Sequence, residues 1–129
     1  MRSQEDAAAA VLRARGEEVG ATLRWEGEDW AVADRRIAVG GQLVAVRTPL
    51  ATYDELFLPL HGEHAARNAA AGVAAFEALV ERALDEEALR SALADVRTPG
   101  RLEVVGHAPL VILDGAHNPA GAQALRTAL

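Results

Sequence analysis

The 129-residue sequence contains no cysteine, and only 4% of its residues are aromatic. The absence of cysteine excludes disulfides, thiolate metal sites and a cysteine nucleophile. Since half of the residues are nonetheless hydrophobic, alanine, valine and leucine must fill the core. The sequence also lacks an apolar run of the ~18 residues that a membrane-spanning helix needs, and its start lacks the apolar segment of a signal peptide. We therefore expect a cytoplasmic protein without a membrane partner.

Several functional patterns are missing as well. The formal net charge is −6 and the arginines are scattered, whereas a nucleic-acid groove needs clustered basic residues. The sequence has no G-x-x-x-x-G-K-[ST] phosphate loop, no paired carboxylates typical of a metal site and no Ser/His/Asp arrangement. We therefore predict no nucleic-acid partner, and neither catalytic residues nor metal ligands on this chain.

The first sixty residues read as a helix followed by extended segments. Apolar spacing predicts a helix over 4–15 that stops at Gly16. Gly40-Gly41 predicts a hairpin, because paired glycines accept the positive φ of a tight turn. Trp25 and Trp30 are expected to pack in a core. The predicted extended segments are 21–25, 28–33, 35–39, 42–48 and 53–60.

The remaining residues predict two helices, two short strands and a final helix. The helices are expected over 63–82 and 85–95, the second capped by Asp85. Pro99 and Gly100 interrupt this pattern. Strands are expected over 102–106 and 109–114, and a last helix that begins near Asn118 or Pro119.

These elements predict a division into two parts. We assign 1–97 to one domain, and 98–129 to a hinge and the start of a second domain. A region of about 30 residues buries too little surface to fold alone. We therefore expect the chain to be an internal piece of a longer protein.

The segment LDGAHNP is the first candidate site. In open α/β folds ligands collect where a strand ends and a helix begins, and the first N–H groups of a helix favour an anion. Asp114 could accept hydrogen bonds from ribose hydroxyls, and His117 could reach a phosphate. In the alternative interpretation, Asp114 and Asn118 merely cap the helix and His117 is exposed. The residues alone leave both interpretations open.

Two further segments hold candidate ligand residues. His64 and Asn68 lie one turn apart on a helix, and the Asn68 amide can donate and accept together, as an adenine edge requires. Arg101 follows the Pro-Gly turn, where a guanidinium could bind phosphate in bidentate geometry. A solvent-facing Asn68 and a surface Arg101 are the more common alternatives for such residues in isolation.

Taken together and in this order, three motifs resemble the folylpolyglutamate synthase/dihydrofolate synthase family of the Mur ligase superfamily. Its members carry G-x-H-Q-x-x-N-A, then P-G-R, then D-x-A-H-N-P. Here these stand as Gly62–Ala69, Pro99–Arg101 and Asp114–Pro119. The resemblance covers nearly the whole chain and departs at Ala65, where the family usually has Gln.

The fold that this resemblance implies is α/β. The chain would comprise the end of a Mur-ligase-type central ATPase domain, made of mixed strands and helices, and the first strands and helix of the C-terminal α/β domain. Family members carry their phosphate loop, magnesium ligands and catalytic lysine before the matched region, and they continue beyond it.

The resemblance implies an ATP-dependent ligase that joins L-glutamate to dihydropteroate or folate through an acyl phosphate. Asn68 would contact the adenine, Arg101 the phosphates and Asp114 the ribose, with His117 near the phosphates. ATP and Mg²⁺ would be the cofactors, with the metal ligands outside this chain, which we expect to be inactive alone. The alternatives are a non-catalytic nucleotide-binding or protein-interaction module, and a piece of another Mur-type ligase that builds peptidoglycan or cyanophycin.

Overall fold

A computed structural model describes residue 1 and residues 4–129. These residues form both helices and strands, and none of the helices is long and apolar enough to cross a membrane. In chain order the elements are α1 (Asp6–Val19), β1 (Ala31–Ala38), β2 (Gly41–Arg47), β3 (Thr52–Leu58), α2 (Glu63–Val80), α3 (Glu86–Ala94), β4 (Glu103–His107), β5 (Leu110–Leu113) and α4 (Pro119–Ala128).

The helix α1 confirms the first predicted helix but runs past its predicted end. Gly16 lies inside α1 and is buried, and a Cβ there would lie 2.7 Å from Cδ1 of Leu23. The glycine therefore admits the Leu23 side chain rather than stopping the helix. The helix ends at Gly20, whose φ of +66° is the left-handed conformation that closes many helices. The prediction of a stop at Gly16 was wrong.

The strands β1, β2 and β3 form an antiparallel sheet in that order. Segments 28–33 and 35–39 were predicted as separate pieces, but β1 joins the second half of the first to most of the second, with a bulge between Val32 and Asp34. Segment 21–25 contains no strand, so that prediction was wrong. The glycine hairpin is confirmed, because Ala38 pairs with Gly41 and Gly40 has a φ of +77°.

The core lies between this sheet and one face of α2. Small side chains on α2 let the helix approach the sheet closely, and Trp30 fills part of the space at 1% exposure. Trp25 is also buried, which confirms the packing interpretation of both tryptophans. The helix α3 packs on β3, and Asp85 caps it by accepting a hydrogen bond from the Ala88 N–H at 2.8 Å.

The last part of the chain folds as predicted. The strands β4 and β5 pair antiparallel, with Val104 opposite Ile112. Asn118 caps α4 by accepting a hydrogen bond from the Gly121 N–H at 2.8 Å, and Pro119 is its first residue. The division of the chain between residues 97 and 98 stays a prediction.

Candidate functional site

Two of the three sequence motifs lie against each other. The Gly115 N–H donates to the Gly100 carbonyl at 2.8 Å, and the Leu102 N–H donates to Asp114 Oδ2 at 2.9 Å. The turn that carries Arg101 and the loop that carries Asp114 and His117 are thus one hydrogen-bonded unit, although 12 positions separate Leu102 from Asp114.

The half-buried Asp114 carboxylate organises this unit. Its Oδ1 accepts a hydrogen bond from the Ala116 N–H at 2.8 Å, while Oδ2 binds the Leu102 N–H. An ionised carboxylate offers about four lone-pair positions, so two remain for another donor. The capping interpretation therefore holds for Asn118, whereas Asp114 holds the two loops together.

His117 is exposed, and its own loop fixes one ring nitrogen. Nδ1 lies 2.8 Å from the Gly115 carbonyl oxygen. Because a carbonyl oxygen only accepts, Nδ1 must carry the hydrogen of this bond. In the neutral ring Nε2 is then an acceptor, and in the protonated ring it is a second donor.

The Arg101 guanidinium lies beside Gly115. A Cβ placed on Gly115 would be 3.7 Å from Nη1 and 3.8 Å from Cζ of Arg101. These are ordinary van der Waals distances, so the chain has room for a methyl group at this glycine. Arg101 is exposed.

Arg101 and Asn68 line the same cavity, which has a volume of about 600 Å³. Its walls come from α2, α3 and the segments around them, and they are mainly apolar. Along α2 the cavity extends from His64 to Phe76, which corresponds to about 18 Å at 1.5 Å per residue. The structure thus brings together Asn68 and Arg101, while Asp114 and His117 are joined to Arg101 through the loops and do not line the cavity.

Sequence reasoning missed a buried residue that shapes the entrance to α2. Gln42 is 1% exposed, and its Nε2 donates to the carbonyls of Leu60 at 2.8 Å and Gly62 at 3.1 Å. Its Oε1 accepts from Nη1 of Arg35 at 3.0 Å. Gln42 therefore holds the loop before His64. This role could not be predicted from the position of Gln42 directly after the glycine hairpin, because the carbonyls that it binds are distant in sequence.

A metal site is a separate question. Among residues 1 and 4–129, no group of three or more His, Asp or Glu side chains is arranged to hold a metal ion. We assign no step on this chain to a metal.

The sequence of this chain is similar to sections of known proteins. No family model matches the chain. Its sequence is 44% identical over 123 residues to a dihydrofolate synthase/folylpolyglutamate synthase of Mycobacterium tuberculosis, covering 92% of this chain and 25% of that protein. It is 32% identical over 126 residues to the folylpolyglutamate synthase of Lacticaseibacillus casei, covering 95% of this chain and 29% of that protein.

Solved structures show the same likeness. A Mycobacterium tuberculosis folylpolyglutamate synthase complexed with ADP and AMPPCP matches 98% of the chain with a TM-score of 0.97 and 42% identity, over 29% of that protein. A folylpolyglutamate synthase–AMPPCP–folate complex matches 98% of the chain with a TM-score of 0.91 and 30% identity, over 32% of that protein.

The matches agree in sequence and in fold. This chain spans about a quarter to a third of the length of these relatives. The match confirms the mixed α/β, Mur-ligase-type fold expected from the sequence. Over nearly its whole length, the chain therefore corresponds to one section of the proteins in the folylpolyglutamate synthase/dihydrofolate synthase family of ligases.

Proposed function

We propose that the chain is a section of an ATP-dependent ligase that adds L-glutamate to dihydropteroate or folate through an acyl phosphate. In this proposal the section contributes nucleotide contacts rather than reacting groups. One observation carries the proposal: Asn68 and Arg101 line one mainly apolar cavity, and Arg101 is hydrogen-bonded through its turn to the Asp114–His117 loop. Relatives with this fold are complexed with ADP and AMPPCP.

The adenine binds in the cavity against α2. Pockets for flat ligands are mainly apolar with a few placed polar groups, and leucine and valine side chains here flank the Asn68 amide. A carboxamide donates and accepts at once, which matches the alternating donor and acceptor on the edge of adenine. Asn68 therefore selects the base, and the apolar walls supply contact area.

The phosphates bind at the joined loops. The Arg101 guanidinium offers a planar fork of donors that suits phosphate oxygens, and a protonated His117 adds a second donor. The two lone-pair positions of Asp114 that the backbone leaves unused accept from ribose hydroxyls. Asn68 and Arg101 thus define the two ends of the nucleotide.

Phosphoryl transfer needs more than these groups supply. The transferred phosphate must be cradled and its charge offset by a metal and by further cations. We propose that the phosphate loop, the Mg²⁺ ligands and the L-glutamate and folate sites belong to sections of the ligase outside the matched region. The chain alone would then bind nucleotide without ligating glutamate.

A chimera tests this proposal. The matched section of the Mycobacterium tuberculosis relative is replaced by this chain, and ADP release that depends on both folate and glutamate is measured. We expect activity from the chimera and none from the chain alone. We expect Arg101→Ala to raise the KM for ATP or lower kcat, at a cost of about 1–3 kcal/mol for a lost charge-assisted contact.

The control for that substitution is Arg97→Ala. Arg97 is exposed and four residues away, so its loss removes the same charge without touching the cavity. Equal effects of the two substitutions would contradict the phosphate role of Arg101. A folded chimera that binds nucleotide but never ligates glutamate would favour the non-catalytic module instead.

A further inference from the structure

Both peptide groups next to the Arg101 Cα are anchored on the neighbouring loop. The peptide before it is held through the Gly100 carbonyl, which accepts from the Gly115 N–H at 2.8 Å. The peptide after it is held through the Leu102 N–H, which donates to Asp114 Oδ2 at 2.9 Å. The Arg101 N–H also donates to the Thr98 carbonyl at 3.2 Å within the turn. Residues 114 and 115, together with this turn, thus restrict the direction in which the Arg101 side chain leaves the backbone.

This arrangement holds Leu102 in a strained conformation. Leu102 has a φ of +49°, which is rare for a branched side chain and costs about 1–3 kcal/mol. Its side chain is 5% exposed, so packing and the Asp114 hydrogen bond together maintain that conformation. Without the carboxylate, the backbone after Arg101 would be released toward an ordinary φ.

We propose that Asp114 is a positioning residue that aims Arg101 at the nucleotide phosphates by holding the Leu102 N–H. This role rests on the proposed function and is additional to a contact with the ribose, because only two of the four lone-pair positions are used. It makes a different prediction for ligands without a ribose. Loss of the carboxylate weakens the binding of any phosphate chain, provided that Arg101 is present.

The test compares ADP with tripolyphosphate, which has phosphates but no ribose, on the 129-residue chain. Asp114→Ala removes both acceptor oxygens, so the Leu102 and Ala116 N–H groups both lose their partner. We expect it to weaken tripolyphosphate binding about tenfold and ADP binding by at least that factor, because ADP also loses its ribose contact. We expect no further loss of tripolyphosphate affinity when the same change is made in the Arg101→Ala variant, because residues that act through one another are not additive.

Asp29→Ala is the matched control. Asp29 is also a half-buried carboxylate that accepts a backbone N–H, from Trp25 at 2.6 Å, but it lines neither the cavity nor the loops. Loss of ADP affinity with unchanged tripolyphosphate affinity in Asp114→Ala would overturn the positioning role and leave only a ribose contact. Additive losses of tripolyphosphate affinity with Arg101→Ala would also overturn it.

Amide hydrogen exchange tests the positioning role without any ligand, so its result does not depend on the proposed function. Without ligand, Asp114→Ala should speed exchange at Leu102 and shift the Arg101 Nε–Hε signal, and Asp29→Ala should change neither. If the wild-type chain binds neither ligand, the proposed function fails, and the exchange result alone decides the positioning role. Unchanged Leu102 exchange in Asp114→Ala would refute it.

Discussion

The buried pair of Tyr53 and Glu77 gives a quantitative prediction of how much one side chain contributes to the stability of the fold. Each side chain is 1% exposed, and the Tyr53 hydroxyl donates to Glu77 Oε1 at 2.7 Å. The same hydroxyl accepts from the Leu84 N–H at 2.7 Å. One oxygen atom therefore links β3, α2 and the segment before α3.

Tyr53→Phe removes both hydrogen bonds and keeps the ring. A hydrogen bond to a charged group contributes about 1.5–3 kcal/mol and a neutral one about 0.5–1.5 kcal/mol. We therefore expect the free energy of unfolding to fall by about 2–4.5 kcal/mol, a large part of the ~5–15 kcal/mol typical of a domain. Urea unfolding followed by circular dichroism measures the change.

Two comparisons sharpen this prediction. In Tyr53→Phe/Glu77→Leu no carboxylate is left buried without its donor, so the double variant should be more stable than Tyr53→Phe alone. A loss below about 0.5 kcal/mol in Tyr53→Phe, or a double variant less stable than the single one, would refute the reasoning.

The same pair predicts a dependence on alkaline pH. Burial and the hydrogen bond to Glu77 raise the pKa of Tyr53 above its usual value of 10.0. Above pH ~10 the unfolded chain loses the phenol proton while the folded chain keeps it, so the folded state binds more protons. This stabilisation is therefore present below pH 10 and is lost as the pH rises from there toward the raised pKa. Tyr53→Phe should lack that part of the decline, and a parallel decline would contradict the assignment.

Two glycine substitutions separate packing from ligand binding. Gly41→Ala would place a Cβ 2.2 Å from the Leu58 carbonyl oxygen, so β3 must shift, and we expect a loss of about 1–3 kcal/mol in urea unfolding. Gly72→Ala puts a methyl group where nothing lies within 4 Å, in a helix interior where alanine is favoured. It should raise the unfolding free energy by about 0.5–1 kcal/mol yet weaken ADP binding, because Gly72 lines the cavity.

Each outcome can contradict its reasoning. An unchanged urea midpoint in Gly41→Ala would mean that β2 and β3 separate there without cost. Tighter or unchanged ADP binding in the stabilised Gly72→Ala variant would place the adenine away from this face of α2.

Local signals predicted much of the fold. The caps at Asp85 and Asn118 and the hairpin at Gly40 depend on residues within a few positions, so the sequence contains the information they need. Gly16 misled the prediction because its reason is tertiary: the space beside it is filled by Leu23. A glycine that ends a helix and one that admits a neighbour look the same in sequence.

The buried polar residues were not predictable from local pattern. Glu77 reads as a solvent-facing residue of a helix, but it lies on the same stripe as Ala66, Ala70 and Val73 and meets Tyr53 across 24 positions. The helical spacing of these residues could have predicted that Glu77 is buried, but it could not have identified Tyr53 as its partner.

The candidate site divides in the same way. The residue types of Asn68, Arg101, Asp114 and His117 suggested nucleotide chemistry, but only the folded chain joins the two loops. The hydrogen bond from the Leu102 N–H to Asp114 could not be predicted from the sequence, because it depends on a positive φ at a leucine.

We propose above that this chain is a section of a ligase and that its residues contact the nucleotide. The most direct measurement is a titration of the ¹⁵N-labelled 129-residue chain with ADP, with equal concentrations of inorganic phosphate in a parallel series. We expect saturable shifts at the Asn68 side-chain amide and at the amides of Arg101, Gly115 and His117, with only the last three responding to phosphate. Saturable shifts confined to residues away from the cavity and the joined loops, or no shifts at millimolar ADP, would contradict it.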